Sequence, residues 1–222
     1  MIRRGWLRVT LDDMYTEMEL YGFDDLEDAQ KLILLNESYF DIVTREPWPF
    51  LEELIPSLVV PGGQTQITNN PLVTPNPTNV NSVLSFIDTG NSLVMTPERA
   101  DVVEKAYFLS NSSGAPSTYY FIGDELMVYP ESLGSTYRLL YTKTPVAATT
   151  TSDTFYIPSR HHSIIVYGAL VKAFLVNDDP QAAVFQNMFE ARYQQMRNDL
   201  WMNQYDRTDR VFVTTDSTDW SY

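Results

Sequence analysis

The sequence has no cysteine, which excludes disulfides and thiolate-bound metal. It has only two histidines, His161 and His162, and they are adjacent. Neighbours on a helix point about 100° apart, a poor geometry for holding one ion. The nine glycines are scattered, and none falls in the spacing of a phosphate-binding loop. There is no HExxH, and Ser159 and Ser163 lie near the histidines without a nucleophile-elbow pattern. No catalytic residue, metal site or cofactor is expected, and the chain reads as a non-enzyme. Positive charge is also scarce, with 15 Lys and Arg against 29 Asp and Glu. Affinity for a phosphate backbone rests on Lys and Arg, so specific nucleic-acid binding is disfavoured. The longest apolar stretch, about residues 159–176, is marginal for a membrane span and is interrupted by Arg160, the histidines and Lys172. No apolar region follows the basic start Met1-Ile2-Arg3-Arg4-Gly5-Trp6, so no signal peptide is expected.

What is present is a hydrophobic fraction of 44% with 13% aromatics, which argues for a packed core rather than disorder. The net charge of −14 is uneven. Residues 1–9 carry three arginines and no acid. Residues 10–46 carry 11 acids and 2 bases, and residues 158–205 balance at 4 and 4. Such a field suits a surface that DNA passes without sticking, a basic protein partner, or solubility alone. The pairs Asp12-Asp13, Asp24-Asp25 and Asp178-Asp179 lack calcium-loop spacing. Each sits at an expected helix start, where negative charge opposes the helix dipole.

Along the chain, Thr10 with Asp13 predicts a helix start, and Gly22 a stop. A longer helix is expected over about Asp25–Thr44, ending before Pro47. Arg45-Glu46-Pro47-Trp48-Pro49-Phe50-Leu51 forms a stiff corner with two aromatic anchors. From Pro56 to Pro158, turn-forming clusters separate short β-prone runs. Tyr119–Ile122 and Glu125–Tyr129 form the best hairpin, turned at Gly123-Asp124, with Arg138–Lys143 expected beside it as a third strand. Pro97–Glu104 reads as a short helix and Ala106–Ser110 as a strand. Residues 158–205 read as a helical hairpin. Its first helix is apolar nearly all round, and its second is amphipathic, with Asp179 as cap and Pro180 at the first position. The expected class is α+β. N-terminal helices (1–52) and the C-terminal hairpin (158–205) form a helical bundle. A small antiparallel sheet or barrel is inserted between them (53–157), and an extended arm (206–222) follows.

The order of these parts carries a resemblance. A long helix ends in REPWPFL (45–51), and a β-rich middle contains DELMVYP (124–130) and YRLLYTKTP (137–145). The close is YIPSRHHSIIVYGALVKAFLVNDDPQAAVFQNMFEARYQQMRNDL (156–200). This arrangement resembles the head-to-tail adaptor proteins of tailed bacteriophages, also called head completion or connector proteins. The resemblance implies a structural virion protein of the neck, assembled in the host bacterial cytoplasm. It implies a homo-oligomeric ring, usually of twelve copies, below the portal protein. That ring would extend the DNA ejection channel and meet a tail or nozzle protein, with genomic DNA passing unbound. The acids Asp12, Asp13, Glu17, Glu19, Asp24 and Asp25 become candidates to line the channel. Val211, Phe212, Val213, Trp220 and Tyr222 become candidates for an arm docking on the portal. Part of the surface of the apolar helix would then be covered by neighbouring copies. Two other readings remain open at this point: a tail-side ring (stopper, nozzle or tail tube), and a receptor- or glycan-binding module using the β insert.

Overall fold

The computed structural model describes residues 9–109 and 114–211, with side chains over 9–106 and 114–201. The chain divides into two compact units. One combines the chain up to Pro49 with the chain from Val146 onward, and the other is Phe50–Pro145.

The first unit is helical. Helix α1 (Leu11–Leu20) begins with the expected capping box. The Thr10 hydroxyl accepts from the Asp13 N–H, and the Asp13 carboxylate accepts from the Thr10 N–H at 2.7 Å. It buries Leu11, Met14, Tyr15 and Met18 on one stripe. Helix α2 (Asp28–Val43) follows, with Glu27 and Gln30 forming a second capping box. Helix α4 (Ser163–Val176) and helix α5 (Gln181–Val211) form the C-terminal hairpin. The α5 stripe Ala182, Phe185, Phe189, Tyr193 and Met196 is buried at helical spacing. The helix itself continues to Val211, past the expected end at Tyr205.

Helix α4 packs on α1, α2 and α5 alike. Ten of its residues, from Ile164 to Phe174, are buried within this one chain. Covering copies are therefore not needed to explain its apolar character. Only Leu175 and Val176, at its end, are exposed apolar positions, at 64% and 83%.

Both α1 and α4 end in the same hydrogen-bonded motif. After α1, the Phe23 N–H reaches Met18 O and the Gly22 N–H reaches Glu19 O, with Gly22 at φ +92°. After α4, the Asp179 N–H reaches Phe174 O and the Asp178 N–H reaches Leu175 O, with Asp178 at φ +51°. Glycine is the usual residue at such a left-handed position, and aspartate tolerates it at a cost. Asp178→Gly is expected to raise the stability of the helical unit by about 0.5–1 kcal/mol in urea unfolding. An unchanged or lower midpoint would show that the Asp178 carboxylate stabilises the corner. The Asp179 carboxylate accepts from the Gln181 N–H at 2.8 Å, the capping role expected of it.

The second unit holds two sheets. The first, in order β1-β7-β2-β3, comprises β1 (Glu52–Gly62), β7 (Leu133–Lys143), β2 (Val80–Asp88) and β3 (Leu93–Val94). The other, β4-β5-β6, comprises β4 (Thr96–Pro97), β5 (Thr118–Ile122) and β6 (Glu125–Tyr129). Ile55, Leu58, Phe86, Tyr119, Val128 and Tyr137 are among the buried residues of their shared core. No barrel closes among the described residues. The hairpin β5–β6 has the expected two-residue turn, with Gly123 at φ +59°. The expected third strand does not join it. β7 instead lies between β1 and β2, antiparallel to both. Nor is the second sheet wholly antiparallel. β4 pairs parallel with β5, and helix α3 (Ala100–Leu109) makes the crossover that parallel pairing requires. Residues 106–109, expected as a strand, therefore continue that helix. Pro97 lies in an edge strand, where its missing N–H breaks no ladder. Pro56 sits where the β1 register shifts between Ile55 and Leu58, a bulge that turns Ile55, Leu58 and Val60 all inward.

The Asn-rich loop between β1 and β2 serves the fold. Asn70 is buried and its amide donates to Gln66 O at 2.8 Å and Gln64 Oε1 at 3.1 Å. Backbone bonds tie the loop to β1 at Val59–Thr74 and to β6 at Ile67–Leu126. Both bonds cover strand edges that would otherwise be open.

Candidate functional site

The corner Arg45–Phe50 sends the chain from the helical unit into the β unit. The Trp48 indole is 1% exposed, and its Nε1 donates to Ile42 O in the last turn of α2 at 2.9 Å. That carbonyl is one a helix end leaves without an intrahelical partner. The indole also meets Tyr193 of α5 edge to face, with ring centres 5.6 Å apart. Glu46 accepts from the Tyr193 hydroxyl at 3.0 Å and pairs with the Arg197 guanidinium at 3.0 Å. Burial, reinforced by Glu46, pushes the Tyr193 hydroxyl up to about 12. The Arg45 guanidinium lies 4.9 Å from the rings of both Phe189 and Tyr193 and pairs with Glu190. The chain returning from the β unit is fixed to α2 as well. Asn36 donates its amide to Ala148 O at 2.9 Å, and its carbonyl accepts from the Ala148 N–H at 2.8 Å. Phe155 packs on Tyr39, with ring centres 4.6 Å apart. Asn36 carried no signal in the sequence, because one amide in a helix predicts no partner 112 residues away.

The acids proposed from sequence as channel-lining residues are held differently from one another. Asp13 is a helix cap, and its bonds from Thr10 hold its carboxyl below the usual range. Glu19 is paired at 2.5 Å with Lys31, whose side chain is only 2% exposed. That hydrogen bond raises the lysine above its usual range, so the pair presents little net charge. Glu17 is half-buried, and burial raises it. Asp12, Asp24 and Asp25 are exposed. Among the proposed arm residues, Val211 is the last residue of α5. Phe212, Val213, Trp220 and Tyr222 lie outside the described residues.

The histidines sit at a buried joint. His162 Nε2 lies 2.6 Å from Ile157 O, and His161 Nε2 accepts from Arg160 Nε at 2.9 Å. His161 also faces Asp199 at 3.6 Å, with Arg192 near. Burial lowers both below their ordinary value of 6.5, with Arg160 adding to the effect at His161. A histidine lowered on folding is neutral in the fold and takes a proton more readily when unfolded. Its contribution is therefore complete above about pH 6.5 and is lost as pH falls from there through the folded values. Unfolding midpoints are expected to drop in that window, and the double variant His161→Gln, His162→Gln should flatten the drop. An equal slope in both proteins would remove the histidines from the effect.

No group of three or more His, Cys, Asp or Glu able to hold a metal occurs among the described residues. No described helix is long and apolar enough to cross a membrane. The described side chains that converge do so as packing and ion-pair clamps, not as a nucleophile with its base. Comparison with curated proteins gives no match. Comparison with family models matches the SU10 adaptor protein over residues 9–215. That match takes in both helical segments, the corner and the whole β unit, and the chain belongs to this family of bacteriophage head-to-tail adaptor proteins.

Proposed function

We propose that this adaptor acts as a ring, of twelve copies, seated below the portal protein, where it extends the DNA channel and offers a surface to the tail or nozzle protein. The observation that carries the reading is the family match across nearly the whole chain. The chemistry agrees with it. A net charge of −14 gives DNA little to grip as it passes. Asp12, Asp24 and Asp25 are the acids best able to face a channel, because they are exposed and no capping bond or buried lysine holds them. Assembly in the host cytoplasm fits a chain without cysteine.

The C-terminal residues are the proposed portal-docking arm, with Val211, Phe212, Val213, Trp220 and Tyr222 as its apolar anchors. Removing residues 212–222 leaves the described length of α5, to Val211, in place and tests the rest of the arm. Native mass spectrometry of adaptor with portal is expected to show twelve adaptors per portal ring for the full chain. The truncated chain should lose that complex. Attachment at undiminished affinity would remove the arm from portal docking. A full chain that never joins a portal ring would overturn the ring reading itself.

A further inference from the structure

An apolar groove of about 240 Å³ runs between α2 and the end of α4. Phe23, Leu26, Ile33, Leu34, Ala173 and Val176 line it. Ile33 is 57% exposed and Val176 is 83% exposed. Isolated surface apolar residues need no explanation, but here they converge on one concavity. Its volume falls below the roughly 300 Å³ at which small-molecule sites begin, which suits a single large side chain better than a metabolite. Its surroundings are acidic. Exposed Asp24, Asp25 and Glu27 flank Phe23 and Leu26, and exposed Asp178 follows Asn177. The nearby Lys172 is already paired with Glu37 and Asp41.

A groove of this kind selects an occupant that is both apolar and basic. Within this chain one stretch has that composition. Residues 1–8, Met1-Ile2-Arg3-Arg4-Gly5-Trp6-Leu7-Arg8, carry three arginines and no acid, with a tryptophan between them. No other eight consecutive residues hold three bases without an acid. Tryptophan and arginine are also the side chains that most often anchor interfaces.

We propose that this groove receives Trp6 of the N-terminal segment of a neighbouring copy, with Arg3, Arg4 and Arg8 meeting its acidic rim. Chain geometry favours the neighbour over the chain's own segment. Val9 shares a small pocket with His162, just before α4 begins. The α4 wall of the groove, Ala173–Val176, lies eleven to fourteen residues further along, or ~16–21 Å at the helical rise. Trp6 lies three residue steps before Val9, so even a fully extended chain carries its Cα only ~10 Å from that of Val9. A segment of each copy seated in the next is a head-to-tail contact, the kind that closes into a ring. The inference rests on the ring reading for its supply of neighbours.

The test uses a labelled synthetic peptide of residues 1–8 and the full chain carrying Trp6→Ala. Saturable binding is expected, weakened at least about tenfold by Val176→Glu or Ile33→Glu, and declining with added salt. Both groove positions are exposed, and circular dichroism checks that the variants fold. Absence of saturation, or binding indifferent to both groove variants, overturns the proposal. At a dilution where native mass shows wild type as a monomer, much weaker peptide binding to wild type than to Trp6→Ala also overturns it, because the chain's own segment would then fill the groove. Mixing the Trp6→Ala and Val176→Glu proteins should yield a one-to-one dimer by native mass that neither forms alone. A groove that ignores the peptide yet is needed for portal attachment belongs to the portal, and the proposal fails. Portal binding measured on the same variants keeps the two readings apart. Peptide binding without portal attachment would sink the adaptor ring, and the converse would sink only this contact.

Discussion

Trp48→Ala is expected to destabilise the helical unit by about 3–5 kcal/mol, the usual cost of truncating a fully buried large aromatic. Three losses coincide at this position. The indole area leaves the core, the edge-to-face contact with Tyr193 goes, and Ile42 O at the end of α2 loses its indole donor. Trp48→Phe separates these terms. It keeps most of the apolar area and gives up the N–H, so it should cost about 1 kcal/mol from the hydrogen bond plus a smaller packing loss. Urea unfolding followed at the helix band of the far-ultraviolet circular dichroism reads chiefly the helical unit, because α3 is the one described α-helix of the β unit. A near-neutral Trp48→Ala would mean that the corner is fixed by Glu46 and its partners Tyr193 and Arg197 instead. Trp48 holds the last residues of the first helical segment against α2 and α5.

The parts of this fold legible in the sequence were those governed by local physics. Thr10 and Asp13 announced a capping box because both partners lie within four residues. Gly22 announced a stop because few residues adopt its conformation. Gly123-Asp124 announced a turn for the same reason. The misread parts depended on distant partners. Arg138–Lys143 alternates like a strand whichever neighbour it has, and nothing local says that β1 and β2, rather than β6, flank it. Pro97 suits a helix start and an edge strand equally, and only the parallel pairing to β5 decides between them. The acidic residues show the same limit. Asp12, Asp13 and Glu19 look alike in sequence, yet one is exposed, one caps a helix, and one is held by a buried lysine twelve residues away. The Lys31 pairing was invisible because a lone lysine in an acidic helix reads as a solvated side chain. The family was legible because the order of elements was, even where individual pairings were not.

Gly168→Ala is expected to be destabilising although alanine is the better helix former. Gly168 lies inside α4, where glycine normally costs about 1 kcal/mol relative to alanine. A methyl group there would sit 2.2 Å from Ser38 Oγ, 3.1 Å from Ser38 Cβ and 3.1 Å from Phe189 Cε2. Contacts this short force the Ser38 side chain of α2 to shift and press on Phe189 of α5, because these two wall the position from two helices. Overpacking of this kind costs about 1–3 kcal/mol, and the clash is severe enough to place it at the upper end. After the gain in helix propensity, a net loss of about 1–2 kcal/mol remains. Gly168→Val should exceed that by a further kcal/mol or more, since its second methyl has nowhere to go. Ser38 supplies the control. Its hydroxyl is buried without a hydrogen-bond partner among the described residues, so Ser38→Ala alone should be near neutral or stabilising. In combination it removes the 2.2 Å contact and should recover part of the Gly168→Ala loss. A Gly168→Ala protein more stable than wild type, or one that Ser38→Ala fails to rescue, would show that α2 and α5 have room to yield. The expected result explains how one helix can be apolar all round and still be covered by its own chain. With no side chain at Gly168, α2 and α5 both approach α4 closely enough to leave it no exposed middle.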